Sequence, residues 1–193
     1  MIRDLGRALR AVVVLAALTG LAYPLAITGI AQLTMPGRAD GSLVRVDGHI
    51  VGSSSIGQLW DGDGWFHGRP SAVDYDASTS SGSNLGPNSK DLAGLIRERV
   101  QAILKLEGPY RPDLEARDIP VDLVTASASG LDPDISVAAA ELQAPRIAAV
   151  RGLPLEQVRG LIDQHTQGPA LGFLGQEHVN VLDLNLALDR LAA

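Results

Sequence analysis

One long uncharged segment dominates the hydrophobic pattern at the start of the chain. Between Arg10 and Arg38 lie 27 residues, AVVVLAALTGLAYPLAITGIAQLTMPG, none of which is charged. A bilayer core about 30 Å thick needs about 20 apolar helical residues, so the segment predicts a transmembrane helix over 11–34. Gly20 and Pro24 lie within it, and both residue types are tolerated in membrane helices, where proline can introduce a kink.

A cleaved signal peptide is the alternative interpretation, because Gly20-Leu21-Ala22 resembles a cleavage site after a short apolar core. The apolar character continues well beyond Ala22, which favours a retained anchor. Three arginines precede the segment, and Arg38 is the only basic residue just after it. The positive-inside bias therefore predicts a cytoplasmic N-terminus over 1–10 and an extracytoplasmic chain beyond the helix.

The pattern after the helix predicts a small α+β domain. Residues 35–42 form a polar linker, and the domain occupies 43–193. Alternating apolar residues on either side of Asp47-Gly48 predict a β-hairpin over 43–52. The predicted fold is thus a single N-terminal transmembrane helix followed by a mixed α/β extracytoplasmic domain.

Further elements follow from periodicity in the second half of the chain. In chain order they are a helix over 89–106, a buried strand over 119–125, a helix from about Ser136 that is bent or interrupted at Pro145, a helix with Pro154 in its first turn, a short strand over 179–182 and a terminal helix over 184–191. The alternating leucines of the terminal segment keep a strand open as the alternative there.

The stretch from 52 to 91 shows no helical period and is rich in Gly, Ser, Asp and Pro. A loop this long within a compact domain is usually functional or disordered. It holds both tryptophans of the chain, and low-complexity disorder would lack such aromatics. We therefore predict an ordered loop used for contact with a partner. The candidate contact residues are Trp65, Phe66, His67, Arg69, Tyr75 and Asn84.

Charge and cysteine content narrow the function classes. The net charge is −6, and without residues 1–10, which hold three arginines and one aspartate, the remainder carries −8. Such an acidic chain argues against a nucleic-acid partner, because a nucleic-acid-binding protein needs clustered basic residues to neutralise phosphates. The chain has no cysteine, which excludes disulfides, thiolate catalysis and cysteine-ligated zinc.

The segment SASGLDPDIS at 127–136 invites a hydrolase interpretation, because serines follow an apolar run. A nucleophile elbow has the pattern Gly-x-Ser-x-Gly, and neither Ser127 nor Ser129 has glycine at both flanking positions. The pattern is typical instead of a close backbone turn, after which Asp134 or Ser136 caps a helix. A membrane-anchored extracytoplasmic serine hydrolase remains the alternative function.

Three other patterns lack the residues that their chemistry needs. SGSNLGPNSKD at 81–91 precedes a helix but lacks the Gly-Lys-Ser/Thr end of a phosphate-binding loop, so Asn88 or Ser89 is expected to cap that helix. DGDGW at 61–65 begins like a calcium loop but supplies too few oxygens. The four histidines show no His-Glu-x-x-His spacing. The residues themselves therefore indicate no catalytic, metal or tightly bound cofactor site.

Several long blocks of the sequence resemble the KdpC family, the C subunit of potassium-transporting ATPases. The blocks are WFHGRPSAVDYD with SGSNLGPNSKDL, then IPVDLVTASASGLDPDIS, then HTQGPALGFLGQEHVNVLDLNLALD. Together with the N-terminal anchor they cover nearly the whole chain. Ser81-Gly82 stands where the family usually has two glycines, and Pro169 stands where an arginine is common.

The resemblance implies a non-catalytic accessory subunit of a four-part, ATP-driven, high-affinity potassium importer in the bacterial inner membrane. The implied partners are a channel-like potassium-binding subunit, a P-type ATPase subunit and a very small membrane subunit, besides membrane lipid. The implied role is that of a catalytic chaperone, which raises the ATP affinity of the pump subunit. Nucleotide binding is implied only through a transient complex of ATP with both subunits.

The predicted topology conflicts with direct ATP contact, because ATP is cytoplasmic and only residues 1–10 are predicted there. We expect any effect on ATP affinity to pass through the assembly, as preferential stabilisation of one pump state. The outer domain is then expected to cap the potassium access side. Small residues in the span would let partner helices approach closely, and the candidates are Ala16, Gly20 and Gly29.

Overall fold

The computed structural model describes residues 2–191, which fall into two compact units with a boundary between Val44 and Arg45. The first unit is mainly one apolar helix. It comprises α1 (Ile2–Ala17), a π-helical turn (Leu18–Ala22), α2 (Tyr23–Thr34) and a short helix α3 (Pro36–Ala39). Within residues 2–191, Arg3–Thr34 is the one helical stretch long and apolar enough to cross a bilayer, in agreement with the sequence.

A proline accounts for the π turn in the middle of this helix. Pro24 has no N–H to donate to the carbonyl of Gly20, and its ring would crowd that oxygen in a regular α-helix. The chain widens there instead, and the Tyr23 N–H donates to Leu18 O, five residues back. The helix therefore continues through Gly20 and Pro24, with a local change in the rotation between successive side chains.

The predicted β-hairpin is confirmed. Strand β1 (Leu43–Val46) pairs with β2 (His49–Ser53) across the two-residue turn Asp47-Gly48. Both turn residues have positive φ, 50° for Asp47 and 80° for Gly48. Aspartate and glycine adopt this backbone region more readily than other residues, which is why the Asp-Gly pair predicts this turn from sequence.

Up to Leu191, where the described chain ends, the second unit contains five α-helices and a small three-stranded antiparallel sheet. Its helices are α4 (Lys90–Glu107), α5 (Val121–Val124), α6 (Val137–Arg151), α7 (Leu155–His165) and α8 (Val181–Leu191). Its sheet has the order β3-β5-β4, formed by β3 (Asp134–Ser136), β4 (Thr166–Gln167) and β5 (His178–Asn180). A 3₁₀ turn at Ala116–Asp118 precedes α5.

The core of this unit is built around α6. This helix packs against α7, α4 and the sheet, and α7 packs in turn against α8. Alanines at 139, 140, 144 and 148 are buried, and their small side chains let neighbouring elements approach the helix closely. In the central strand, Val179 is paired with Ile135 on one side and with Thr166 on the other. The sheet thus covers one side of the helical core.

The strand predicted over 119–125 is wrong, because the chain forms the short helix α5 there. Leu123 and Val124 are buried while Val121 is 70% exposed, so the apolar run does not alternate as a strand would. The carboxylate of Asp122 accepts hydrogen bonds from the Ser136 N–H at 2.7 Å and from Ser136 Oγ at 3.1 Å. This contact, made with a residue far along the chain, fixes the helical turn.

Three other details of the helices and strands differ from the sequence prediction. Helix α6 runs unbroken through Pro145, since packing on several sides offsets the one lost backbone hydrogen bond. Pro154 is the N-cap of α7 rather than a residue of its first turn. The strand expected over 179–182 ends at Asn180, whose side-chain oxygen accepts from the Asp183 N–H and starts α8. The terminal helix itself is confirmed.

A buried ion pair joins α4, α6 and the long loop between β2 and α4. Arg146 is 0% exposed and Glu107 is 2% exposed, and Arg146 Nε donates to Glu107 Oε1 at 2.9 Å. The same guanidinium donates to Gln143 Oε1 and to the carbonyl oxygens of Asp63 and Trp65. Burial raises the pKa of Glu107, and the charge of Arg146 opposes that rise.

Replacing Arg146 should therefore destabilise the domain in a pH-dependent way. Arg146→Met leaves Glu107 buried without its counter-charge, and we expect a loss of about 3–5 kcal/mol at neutral pH. Without the arginine, the pKa of Glu107 in the folded state rises further above its ordinary value of 4.5. The folded state then binds a proton that the unfolded state releases, so the stability loss should shrink as the pH falls towards that value.

The measurement is urea unfolding of the detergent-solubilised full-length chain, followed by far-UV circular dichroism at several pH values. Arg159→Met is the matched control, because Arg159 is 44% exposed where it pairs with Glu141 and Glu156. An exposed pair of this kind should contribute less than about 1 kcal/mol. Equal losses in the two variants, or a loss that does not depend on pH, would contradict the role given to the buried pair.

Candidate interaction surface

The long loop (residues 54–89) is held in place by backbone hydrogen bonds to the serine turn (residues 127–132). The Gly57 N–H donates to Leu131 O at 2.8 Å, and the Ser81 N–H donates to Ser129 O at 2.9 Å. In the opposite direction, the Ser127 N–H donates to Pro70 O at 3.2 Å. The loop is therefore ordered along its length by a second segment, as its aromatic content predicts.

Two side-chain amides hold the middle of the long loop. Asn185 in α8 accepts from the Phe66 N–H at 2.9 Å and donates to Phe66 O at 2.9 Å. Gln143 in α6 accepts from the His67 N–H at 2.8 Å and donates to His67 O at 3.1 Å. Each amide thus satisfies both backbone groups of one loop residue, as a neighbouring strand would. The groups around Phe66 are buried and those around His67 are partly buried, so leaving one of them unpaired would be costly.

Arg69 and Tyr75 connect the long loop to the serine turn. Arg69 forms an ion pair with Asp132 at 2.9 Å, and the hydroxyl of Tyr75 donates to Arg69 O at 2.7 Å. Burial of the phenol, with a smaller effect from the charge of Asp132, raises the pKa of Tyr75 to about 12. The hydroxyl therefore stays protonated and remains a hydrogen-bond donor at physiological pH.

Both tryptophans lie together at the edge of the domain. The ring centroids of Trp60 and Trp65 are 5.1 Å apart, and the guanidinium of Arg151 lies 4.1 Å from the centre of the Trp65 ring. Arg151 also donates to Gly64 O at 2.8 Å. A cation over a tryptophan face is attracted by the ring's quadrupole, so the charge of Arg151 fixes this part of the loop as well.

Most of the predicted contact residues form intramolecular contacts. The side chain of Phe66 is 0% exposed and belongs to the hydrophobic core. Burial lowers the pKa of His67, whose ring bonds to Gly62 O at 2.9 Å. Trp65 is half-buried, and Asn84 is exposed with φ of 52°. The prediction that these residues meet a partner stays untested. Asn84 is exposed, and Trp65, His67, Arg69 and Tyr75 are each partly exposed.

A cleft of about 330 Å³ opens between the long loop and α4. Its lining is mostly apolar and includes Leu59, Trp60, Ile103, Leu106 and Leu123, with Tyr75 and Glu107 also on its wall. Within the described part of the chain, Glu107 Oε2 is buried and has no hydrogen-bond partner, whereas Oε1 is bound to Arg146. The cleft therefore combines apolar walls with one buried carboxylate oxygen.

The serine turn is occupied by its own hydrogen bonds. Ser127 Oγ accepts from the Gly130 N–H at 2.9 Å, and Ser129 Oγ accepts from the Leu131 N–H at 3.1 Å. Over residues 2–191, neither hydroxyl bonds to a histidine, and no three His, Asp or Glu side chains cluster as metal ligands would. Ser136 Oγ accepts from the Ala139 N–H and caps α6, as predicted. The geometry matches the predicted backbone turn.

The other sequence motifs also form local structure. Ser89 caps α4 by accepting from the Leu92 N–H at 3.4 Å, which is the helix-cap interpretation of the glycine-rich segment. His165 Nδ1 bonds to Leu161 O at 2.9 Å at the end of α7. Sequence reasoning missed the polar residues that hold the loop: Glu107, Gln143, Arg146 and Asn185. The available signal was a polar side chain at a core-facing position of a predicted helix.

Comparison with known proteins gives consistent matches over the full chain. A family model described as KdpC: K+-transporting ATPase, c chain, matches residues 5–190. The Potassium-transporting ATPase KdpC subunit of Bradyrhizobium diazoefficiens is 50% identical over 207 residues, covering 100% of both chains. The proteins of the same name from Variovorax paradoxus and Nitratidesulfovibrio vulgaris are 56% and 54% identical, over 93% and 92% of this chain and 92% and 89% of their own.

At Gly57 the long loop lies so close to the serine turn that a larger residue should destabilise the domain. A Cβ at this position would overlap the carbonyl oxygen of Asp132 and lie 2.6 Å from Tyr75 Cε1. We expect Gly57→Ala to destabilise the domain by about 1–3 kcal/mol, because backbone and a packed ring must both move. Limited proteolysis should show faster cleavage within 57–75 than in the wild-type chain.

Gly86→Ala is the matched control in the same loop. Gly86 is exposed, and a Cβ there would meet nothing within 4 Å. The melting temperature and cleavage pattern of the Gly86→Ala chain should match those of the wild type. If Gly57→Ala were as stable as Gly86→Ala, the proposed packing of the loop on the serine turn would be wrong.

Proposed function

This chain belongs to the KdpC family of K+-transporting ATPase subunits, and we propose that it is a non-catalytic, membrane-anchored accessory subunit of an ATP-driven, high-affinity potassium importer. The observation that carries the proposal is a family match over residues 5–190, which includes both the apolar helix and the α+β domain. The serine hydroxyls add support, because turn hydrogen bonds already occupy them.

We infer a topology with residues 1–10 in the cytoplasm and the α+β domain outside the inner membrane. The support is the distribution of charge, with three arginines before the span and one shortly after it. The proposed partners are a channel-like potassium-binding subunit, a P-type ATPase subunit and a very small membrane subunit. In this arrangement the domain caps the potassium access side of the importer.

Small residues in the span are proposed to pack against partner helices. Ala16 and Gly20 are four residues apart and lie near one face of the helix, whereas Gly29 lies on a different face. A Cβ at Gly20 or at Gly29 would meet nothing within 4 Å in this chain, so neither glycine is needed for intramolecular packing. Both sites can therefore serve close helix–helix contact with other subunits.

The subunit is proposed to raise the ATP affinity of the pump subunit without holding ATP by itself. A ligand shifts an equilibrium between two pump states when it binds one of them better, and the coupling acts in both directions. A domain that packs better on the ATP-bound state therefore strengthens ATP binding from the opposite side of the membrane. Couplings of this kind are typically about 1–3 kcal/mol, or about 5- to 150-fold in affinity.

Two measurements of ATP affinity test this proposal, one on the isolated chain and one on the assembled complex. We expect the isolated detergent-solubilised chain to bind no ATP in the micromolar range by calorimetry. The assembled complex should have an apparent ATP affinity at least about fivefold higher than that of a complex lacking this chain, because the coupling acts on the pump subunit. Micromolar ATP binding by the isolated chain would refute indirect coupling, and equal ATP affinities of the two complexes would refute the chaperone role.

Substitution in the span tests assembly separately. Gly20→Leu should release the subunit from the detergent-solubilised complex, because a leucine side chain separates helix backbones that a glycine allows to touch. Leu21→Ile is the control, since it keeps the apolar volume at the neighbouring position. Native gels with the epitope-tagged chain report its retention. If the complex fully retained both the Gly20→Leu chain and the Gly29→Leu chain, the proposed packing of partner helices against these glycines would be wrong.

A further inference from the structure

An apolar tip (residues 169–175) connects β4 to β5 and has no place in the core. Its ends are bound to each other, because the Ala170 N–H donates to Leu174 O at 2.8 Å and the Leu174 N–H donates to Ala170 O at 2.9 Å. The Gly172 N–H also donates to Pro169 O at 3.0 Å. The tip is therefore a closed turn with a defined shape, held by its own backbone.

The tip presents three large apolar side chains to solvent. Leu171 is 84% exposed, Phe173 is 73% exposed and Leu174 is 52% exposed. Single exposed leucines are ordinary on protein surfaces, but a contiguous group that includes an aromatic residue is typical of an interaction site. None of the three belongs to the buried hydrophobic cluster of the described chain. Their exposure therefore brings no benefit to the fold itself.

Backbone strain at Leu171 supports a function for the tip. Leu171 has φ of 56°, in the left-handed region that a leucine rarely adopts. Asp47 and Asn84 also have positive φ, but their short polar side chains suit this region. Leucine has no such compensation, and glycine or asparagine would fit better at 171. A residue that is both strained and exposed to water is best explained by what it contacts outside the chain.

The charge of the sequence that flanks the tip indicates what covers it. No lysine or arginine occurs between Arg159 and Arg190, and Glu177 lies exposed directly beyond the tip. Segments that insert into bacterial lipid usually pair their apolar side chains with basic residues that bind anionic headgroups. The tip lacks them, and Glu177 would be repelled by such a surface. An uncharged apolar groove on a protein, with a polar or basic rim, suits both the side chains and the carboxylate.

We propose that the apolar tip inserts into an apolar groove on the extramembrane surface of another subunit of the same complex, with Leu171 and Phe173 as its main anchors. This inference rests on the proposed function, because it takes the partner from the assembly to which the chain is assigned. A turn preformed by its own hydrogen bonds loses little conformational freedom on binding, which favours affinity.

Leu171→Asn separates docking from folding, because asparagine tolerates the backbone conformation at 171 but cannot fill an apolar groove. We expect the isolated chain to melt at the same temperature as the wild type or higher. Combined with Phe173→Ala, the change should speed loss of the subunit from the detergent-solubilised complex by at least about tenfold, as expected for interface anchors. Val121→Asn is the control, since Val121 is 70% exposed outside the tip.

Photo-crosslinking identifies what the tip touches. With p-benzoylphenylalanine in place of Phe173, the assembled complex should give one adduct between this chain and another of its subunits, identified by mass spectrometry. Adducts only with lipid, only with a second copy of this chain, or none at all would overturn the proposal. Unchanged retention of the double variant would also overturn it. A wild-type chain that co-purifies with no subunit would instead refute the proposed function.

Discussion

The fully buried guanidinium of Arg146 determines where three parts of the domain must lie. It donates to the carboxylate of Glu107 in α4, to the amide of Gln143 in α6 and to the carbonyl oxygens of Asp63 and Trp65 in the long loop. An unpaired charge in this position would carry a large desolvation cost, so all of these acceptors have to be present together. The loop is consequently a part of the core and not an appendage to it.

The same principle governs the rest of the polar interior. Asn185 and Gln143 bind both backbone groups of loop residues, and the buried Ser127 binds the backbone of its own turn. The two side-chain amides take the place of a neighbouring strand, and the serine hydroxyl closes a turn. Among the exposed side chains, Leu171, Phe173 and Leu174 form an apolar group at the tip beside β5. This division of roles fits a subunit that acts by contact.

Local features of the fold were predictable from sequence, and features set by distant residues were not. The span follows from a run without charge, and the hairpin follows from one Asp-Gly pair. Residues 119–125 were mistaken for a strand because a short apolar run suits both structures, and the contact between Asp122 and Ser136 decides between them. Phe66 was chosen for its residue type, whereas in the fold its side chain is buried and its backbone is bound by Asn185, 119 residues further along. No local pattern carries that information.

The distance in sequence between the long loop and α8 has a consequence for biosynthesis. Phe66 leaves the ribosome 119 residues before Asn185, the side chain that satisfies its backbone. Throughout that interval the backbone of Phe66 keeps water as its hydrogen-bond partner only if the loop stays unfolded. The loop is then open to proteases until translation is nearly finished. A polypeptide truncated before α8 would carry an anchor and most of a core, yet its exposed loop would mark it for degradation.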